Sequence, residues 1–389
     1  MKRTLFAALS TCLIVELGLM PVPASSANLA GKEVVVGWLE PFTGMGSAYG
    51  EEDSVTMKMA VDEINSKGGV GGLPLKIVKY DTSWKGEQAI AMLRKLAQTD
   101  KVLAVMGPYS SGECEVTFPV ANMLKIPIIG HAGAAPGLAE KNRPWAFRNV
   151  MTLNKTLEPA FAKWVQMYKI KTIAKIYEST DFLNTSEATR ILPPLLQKYG
   201  VKEVSTQTFA KRDINFAAQV TAMKAANPDG IWLSAIYEEG ANVAREIRRQ
   251  GMTQPIVAGI GVTGTSYTRL GGQATEGTIA PSNFWAGNPD PKVQEFVKKW
   301  STAFKGQMPP HYTVNLYEIV HMLKHVIETS GVTNDPKNLD TDRERIRNGL
   351  AAIKDFPGVG EKITIGPDGD ALKHSYILQV KHGIWERID

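Results

Sequence analysis

The sequence predicts an α/β protein of two lobes, each built on a mainly parallel, doubly wound sheet. Three observations carry this. The chain has 389 residues, which at roughly 100–200 residues per domain is length for two domains. Short apolar runs alternate with helix-period segments, and they do so in two successive blocks. Strands separated by helices cannot be hairpins, so their sheets are parallel with helices on both faces.

The first block opens with an apolar run over 34–39, a strand buried on both faces. A helix follows over 51–67, with Val55, Met59 and Ile64 at helical spacing, and the glycines of 68–72 stop it and give a turn. Strands are predicted at 75–80, 102–106 and 126–129, with helices at 89–98 and 113–124 between them. The second block places helices at 157–168, 186–199, 216–226 and 239–250 between strands at 172–177, 203–209, 231–234 and 255–258. The last third is less regular. Asp290-Pro291 supplies an N-cap and a first-turn proline, and Val293, Phe296, Val297 and Trp300 form one apolar stripe. A long helix covers 312–328, Thr341 to Glu344 reads as a capping box opening another, and strand-like pieces lie at 362–365 and 376–380.

Composition narrows the function. The chain is 43% hydrophobic and 21% charged, as in globular proteins. Its net charge of +5 is dispersed, with no basic block, so nucleic acid is excluded as a partner. Lys2 and Arg3, an apolar stretch over 5–20 and small residues up to Ala27 read as a secretory signal peptide cleaved after Ala27. No run of about 20 apolar residues follows it. Of two cysteines only Cys114 then remains, which allows neither an intramolecular disulfide nor a thiolate metal site.

Catalytic and cofactor motifs are sparse. Gly259 to Gly264 matches G-x-G-x-x-G after a predicted strand, but it falls late in its block and lacks the acidic partner about 20 residues on. A glycine-rich strand-end loop is the simpler reading. His321 and His325 share a helix face without a third ligand or the H-E-x-x-H pattern, and read as a structural or surface pair. Cys114 has no identifiable base, so neither an enzyme nor a cofactor is expected.

The informative positions are strand ends, where open parallel sheets bind ligands. After the strand at 102–106 comes Gly107-Pro-Tyr-Ser-Ser-Gly112, in which Ser110 or Ser111 caps a helix whose free N–H groups and dipole suit an anion. Ordinary helix capping is the alternative. After the strand at 126–129 comes a small-residue loop, Gly130-His-Ala-Gly-Ala-Ala-Pro136, whose backbone a ligand can approach closely.

These segments also carry a resemblance. Gly37-Trp-Leu-Glu-Pro-Phe-Thr-Gly44, Ala60-Val-Asp-Glu-Ile-Asn65, Gly68-Gly-Val-Gly-Gly72, Gly107-Pro-Tyr-Ser-Ser-Gly112 and Ala146-Phe-Arg148 occur in order. Arg245-Glu-Ile-Arg-Arg-Gln-Gly251, Ala274-Thr-Glu-Gly277 and Phe356-Pro-Gly-Val-Gly360 follow. From about Val34 onward the chain resembles the branched-chain amino acid (leucine-binding) type of ABC transporter substrate-binding protein, of periplasmic binding protein type I fold. The resemblance implies a monomeric periplasmic receptor whose lobes close on a small solute and deliver it to a membrane permease driven by ATPase subunits. It also implies three hinge crossings, placed near 149, 280 and 354. Lobe one is then 28–148 plus 281–353, and lobe two 149–280 plus 354–389.

By the same resemblance Ser111, with Ser110 beside it, holds a ligand carboxylate. Backbone groups of Ala132 and Ala134, around Gly133, assist it. Tyr49 lines the lobe-one wall, while Phe182 and either Ile236 or Tyr237 line lobe two. Relatives that bind amino acids usually carry Thr at the position of Ala134, and at that of Ile260 an acid pairing with the ligand ammonium. Both positions are apolar here, and burying an ammonium without a partner costs several kcal/mol. The expected ligand is therefore a carboxylate lacking an α-ammonium. Trp38, Tyr49, Trp84, Tyr109, His131 and Phe182 near strand ends favour a flat body such as a benzoate- or cinnamate-like acid, with His131 or Tyr237 bonding a ring hydroxyl. An amide or urea receptor, or an aliphatic amino-acid receptor, of the same fold is the alternative, and an exported α/β enzyme the alternative from another class.

Overall fold

The computed structural model describes residues 29–389. The expected signal peptide lies outside them. The first sheet is fully parallel, formed by β1 (Val34–Glu40), β2 (Leu75–Asp81), β3 (Val105–Met106), β4 (Ile128–Gly130) and β5 (Ala146–Arg148) in the order β2-β1-β3-β4-β5. Between them run α1 (Ser47–Ser66), α2 (Gly86–Gln98) and α3 (Ser111–Leu124). Strand β3 is shorter than its apolar run, because within 102–106 only Val105 and Met106 pair on both sides.

The second block begins with α4 (Leu153–Tyr168) and β6 (Thr172–Glu178). The helix predicted over 186–199 starts earlier, as α5 (Phe182–Ser186) capped by the Asp181 side chain, and passes through a π turn at Glu187–Ile191 into α6 (Leu192–Tyr199). Then come β7 (Lys202–Phe209), α7 (Ala217–Ala225), β8 (Gly230–Ser234), α8 (Tyr237–Arg249), β9 (Ile256–Ala258), α9 (Thr265–Gly271) and β10 (Ile279–Ser282).

In the last third, α10 (Pro291–Ala303) has the expected Asp290 cap and N1 proline. It is followed by α11 (His311–Thr329) and α12 (Leu339–Ala351). The capping box at 341–344 does not form: α12 begins two residues earlier, so Thr341 lies inside its first turn. Short antiparallel strands β11 (Phe356–Pro357), β12 (Lys362–Ile365) and β13 (Ala371–Leu372) make a third sheet. Finally β14 (Tyr376–Lys381) adds antiparallel to β10 and β15 (Ile384–Arg387) antiparallel to β14, completing the second sheet in the order β15-β14-β10-β9-β8-β6-β7.

Each large sheet is packed on both faces. On the first, Ile64, Leu316, Leu323 and Ile346 from α1, α11 and α12 cover one side, and Leu93, Leu96 and Phe118 the other. On the second, Leu157, Phe161, Trp164 and Leu192 face Val220, Val243 and Ile247 across the strands. Apolar area buried this way contributes about 25 cal/mol per Å², which is how the two sheets hold with no disulfide among the described residues.

The core assignments move one expected boundary. Ile363, Ile365 and Ala371 share the core of Val34 and Ile319, so 356–372 packs with the first sheet and not with the second. Arg148, fully buried, fixes this return by a bidentate pair with Asp370, Nε–Oδ1 2.6 Å and Nη2–Oδ2 2.8 Å. The chain thus leaves the first core after Arg148, rejoins it after Ser282 and leaves again between Leu372 and Tyr376. Helix α11 ties two of these passages: Asn149 Nδ2 donates to Glu318 Oε2 at 2.9 Å, and Lys373 Nζ donates to Glu318 and, at 2.8 Å, to Asn315 Oδ1.

Candidate functional site

Loops following β1 to β4 and β6, β8 and β9 converge on one cavity of about 50 Å³. That is the strand-end position at which doubly wound sheets bind ligands. The turn after β3 is built for close approach. Gly107 has φ +88°, and a Cβ there would lie 2.1 Å from the Leu39 carbonyl oxygen, so only glycine fits. The chain then enters α3 through a capping box, in which Ser110 Oγ accepts the Glu113 N–H and the Glu113 carboxylate accepts the Ser110 N–H. Ser110 therefore serves as the cap while lining the cavity. Ser111 Oγ accepts the Ala135 N–H at 3.2 Å and keeps its own O–H for a ligand. As the first two residues of α3, Ser111 and Gly112 present N–H groups that have no intrahelical acceptor.

The wall is aromatic. Tyr49 stacks on Tyr109 at 4.5 Å between ring centroids and on Trp84 at 5.7 Å, and Tyr312 meets both tyrosines edge-on. Tyr237, from the second lobe, meets Tyr49 edge-on at 5.4 Å. Ile236 and Tyr237 both line the cavity: the N-cap and the first residue of α8 face it together. Ile260 lines it too, its N–H held at 3.2 Å by Glu187 Oε1 beneath the loop. Burial raises that carboxyl to about 8. A Cβ at Gly259 would sit 1.8 Å from Glu187, so this glycine of the G-x-G-x-x-G match leaves room for a buried acid and not for a pyrophosphate.

Five sequence-predicted residues stand elsewhere. Trp38 is in the core, its Nε1 donating to Glu40 Oε2 at 3.2 Å, because strand β1 turns that side chain inward. His131 is fully buried against Asp53, 2.9 Å away. Gly133 and Ala134 spend their carbonyls on the scaffold: Gly133 O accepts from Arg148 Nη1 at 2.7 Å and Ala134 O from the Leu153 N–H at 3.0 Å. Phe182 packs toward the α3 side under Arg190, and its neighbours Asp181 and Leu183 line the cavity in its place. Of the second loop, Ala132 alone reaches the cavity.

The sequence reasoning missed Glu52, Asp181, Leu183, Thr263, His311 and Tyr312. Asp181 was findable by the strand-end rule already applied in the first lobe. His311 and Tyr312 were not, since they come from the start of α11, far along the chain. Among the described residues lining the cavity, none is lysine or arginine, and two are carboxylates. Burial pushes Glu52 from 4.5 to about 7, with Asp53 and Glu51 adding to this and the donating Tyr312 hydroxyl opposing it. Burial also raises Asp181, against the Asn184 N–H it accepts. His311 is driven down to about 3 by burial, so it is a neutral ring, with Nδ1 3.3 Å from Thr263 Oγ1 of the opposite lobe.

Comparison with known proteins agrees with the fold. A family model described as "Periplasmic binding protein" matches residues 33–383. A Leu/Ile/Val-binding protein of Rhizobium johnstonii is 26% identical over 357 residues, 90% of this chain and 92% of that one. A branched-chain amino acid transporter substrate binding protein of Streptococcus pneumoniae, solved with isoleucine, superposes with a TM-score of 0.82 at 22% identity, covering 91% of this chain and 98% of that one. A solute binding protein of an ABC transporter from Rhodopseudomonas palustris, solved with 3,4-dihydroxybenzoic acid, gives 0.80 at 20% identity, covering 92% and 96%. Among the described residues no helix is long and apolar enough to cross a membrane.

Proposed function

The chain belongs to the periplasmic binding protein family, and from that footing we propose that it is the exported receptor of an ABC importer for a small aromatic carboxylate. The observation that carries the reading is the ring cluster of Tyr49, Trp84, Tyr109, Tyr237 and Tyr312, drawn from both lobes around one cavity. The carboxylate seats at the start of α3 on the Ser111 hydroxyl and the free N–H groups, with Ala132 beside them. The flat body stacks on the tyrosines. Lobe one comprises 29–148 and 283–372, and lobe two 149–282 and 373–389.

Ile260, where an ammonium-binding relative carries an acid, leaves no charged partner at that point. Glu52 and Asp181 instead offer acceptors for a ring hydroxyl. An engineered cavity that takes benzene measures about 150 Å³, three times the space here, so a ring enters only as the lobes part and the tyrosines turn. A second reading has one specific observation in its favour: those same two carboxylates can pair with an ammonium, which would make the solute an α-amino acid. In either case the released solute passes to the permease.

Calorimetric titration with 4-hydroxybenzoate, leucine and a short-chain amide separates the readings. Micromolar binding of the hydroxybenzoate with none of leucine is expected. Tight leucine binding without any aromatic-acid binding refutes the aromatic proposal and establishes the second.

A further inference from the structure

Behind the aromatic wall three side chains meet that ligand binding does not use. Glu40 ends β1, Asp53 lies on α1 and His131 follows β4. All three are fully buried, and one donor atom from each lies within 4.8 Å of the other two. His131 Nε2 is 2.9 Å from Asp53 Oδ2 and 3.5 Å from Glu40 Oε2. The His131 ring in turn meets the edge of Tyr109, 5.4 Å between centroids, so the cluster backs the ligand wall directly.

Three acids crowd one ring. Glu40 and Asp53 are fully buried and hydrogen-bonded to each other, and Glu113 adds a third repulsive influence on Glu40. His131 is the ring they share, and no lysine or arginine figures among the groups acting on either carboxylate. Glu40 Oε1, Asp53 Oδ1 and His131 Nδ1 are buried without a hydrogen-bond partner. Buried polar atoms are nearly always partnered, and buried charges are paired or bind metals.

The donor set says which cation fits. One imidazole nitrogen and two carboxylate oxygens are all zinc ligand types, and three protein ligands is the number at which a zinc site keeps a fourth position for water. Calcium and magnesium prefer all-oxygen cages of six or more ligands. Bonds of about 2.0–2.2 Å in a tetrahedron put donors roughly 3.3–3.6 Å apart. The observed 3.5 Å matches this, and the 2.9 Å contact needs to open by a few tenths of an ångström.

From this we infer that Glu40, Asp53 and His131 form a binding site for one divalent first-row ion of the zinc class. The ion replaces two protons, the one Glu40 holds toward Asp53 and the one shared between His131 Nε2 and Asp53, and both are released to solvent. It ties β1, α1 and the β4 loop together behind Tyr109, and so stiffens the lobe-one wall of the ligand cavity.

The test uses the full chain expressed in zinc- or cobalt-supplemented medium, because the site is enclosed and fills most readily during folding. Elemental analysis of the purified protein is expected to find one equivalent of metal. The cobalt form is expected to show visible d–d bands, and chelation to lower the thermal midpoint. Asp53→Asn and His131→Gln each lose the equivalent, while His325→Ala keeps it. Metal-free wild-type protein after growth and after incubation with excess zinc overturns the site, as does undiminished metal in both ligand variants. If those variants fail to fold, the wild-type spectrum and midpoint decide: no cobalt bands, or a midpoint indifferent to chelation, overturns it equally.

Discussion

Replacing Glu52 by Gln tests the electrostatics of the cleft directly. Glu52 is a carboxyl that burial holds at about 7 against an ordinary 4.5. A group that grips its proton harder in the native state penalises that state when it ionises. The penalty is absent below about 4.5, grows as the pH climbs from 4.5 to 7, and is complete above 7. At about 1.4 kcal/mol per pKa unit it reaches roughly 3 kcal/mol, an upper bound because solvent reaches part of the side chain. Glutamine keeps the shape, and its carbonyl still accepts the Tyr312 hydroxyl that Glu52 accepts now. Glu52→Gln is therefore expected to match wild type at pH 4.5 and to be more stable by up to about 3 kcal/mol at pH 8, or roughly 4 °C in thermal midpoint for a chain of this length. Urea unfolding of both proteins across pH 4–8.5, read as the difference between the two curves, cancels the other titrating groups. A flat difference, or a variant that loses stability as the pH rises, would refute the reasoning. Either would mean that the ionised carboxylate is a net stabilising acceptor for Tyr312.

Three further outcomes are expected. Ser111→Ala removes the hydroxyl donor at the start of α3, and should weaken carboxylate binding by about 10- to 150-fold by calorimetry, since a hydrogen bond to a charged group contributes about 1.5–3 kcal/mol. An affinity within twofold of wild type would remove Ser111 from the site. Asp370→Asn leaves the fully buried Arg148 guanidinium uncompensated and should cost about 3–5 kcal/mol in denaturant unfolding; a loss under 1 kcal/mol would show that the carbonyls of Gly133 and Ala135 satisfy it alone. Lys211 of the second lobe places its Nζ 4.1 Å from the Trp84 ring centroid of the first. Lys211→Met should speed ligand release in stopped-flow fluorescence by about 2- to 30-fold, the equivalent of a cation–π contact of 0.5–2 kcal/mol, and an unchanged release rate would mean that this contact does not hold the lobes shut.

Much of the fold was legible because its signals are local. Alternating strand and helix periods, the Asp290-Pro291 helix start and the strand-end loop at 107–112 are each decided within a few residues, and the structure has all of them. The errors also have local causes. Thr341 carries the right residues for a capping box, yet α12 starts at Leu339. Trp38 was read as a cleft residue from its place near a strand end, whereas alternation along β1 decides which way it points. The segment 356–372 carries no signal of which core it joins. That is fixed by Arg148 reaching Asp370 across 222 positions of sequence.

The sequence by itself determined two doubly wound sheets and an anion-suited helix start at Ser110-Ser111, since hydrophobic period and capping chemistry are properties of neighbouring residues. Only the tertiary structure decided what surrounds that helix start. Tyr312 and His311 arrive from α11, Asp181 from β6 and Tyr237 from α8, so the aromatic wall and its two carboxylates exist only once the lobes meet. The proton affinity of Glu52 and the uncompensated cluster at Glu40, Asp53 and His131 arise the same way. Both depend on the water that folding excludes, and no run of residues encodes that alone.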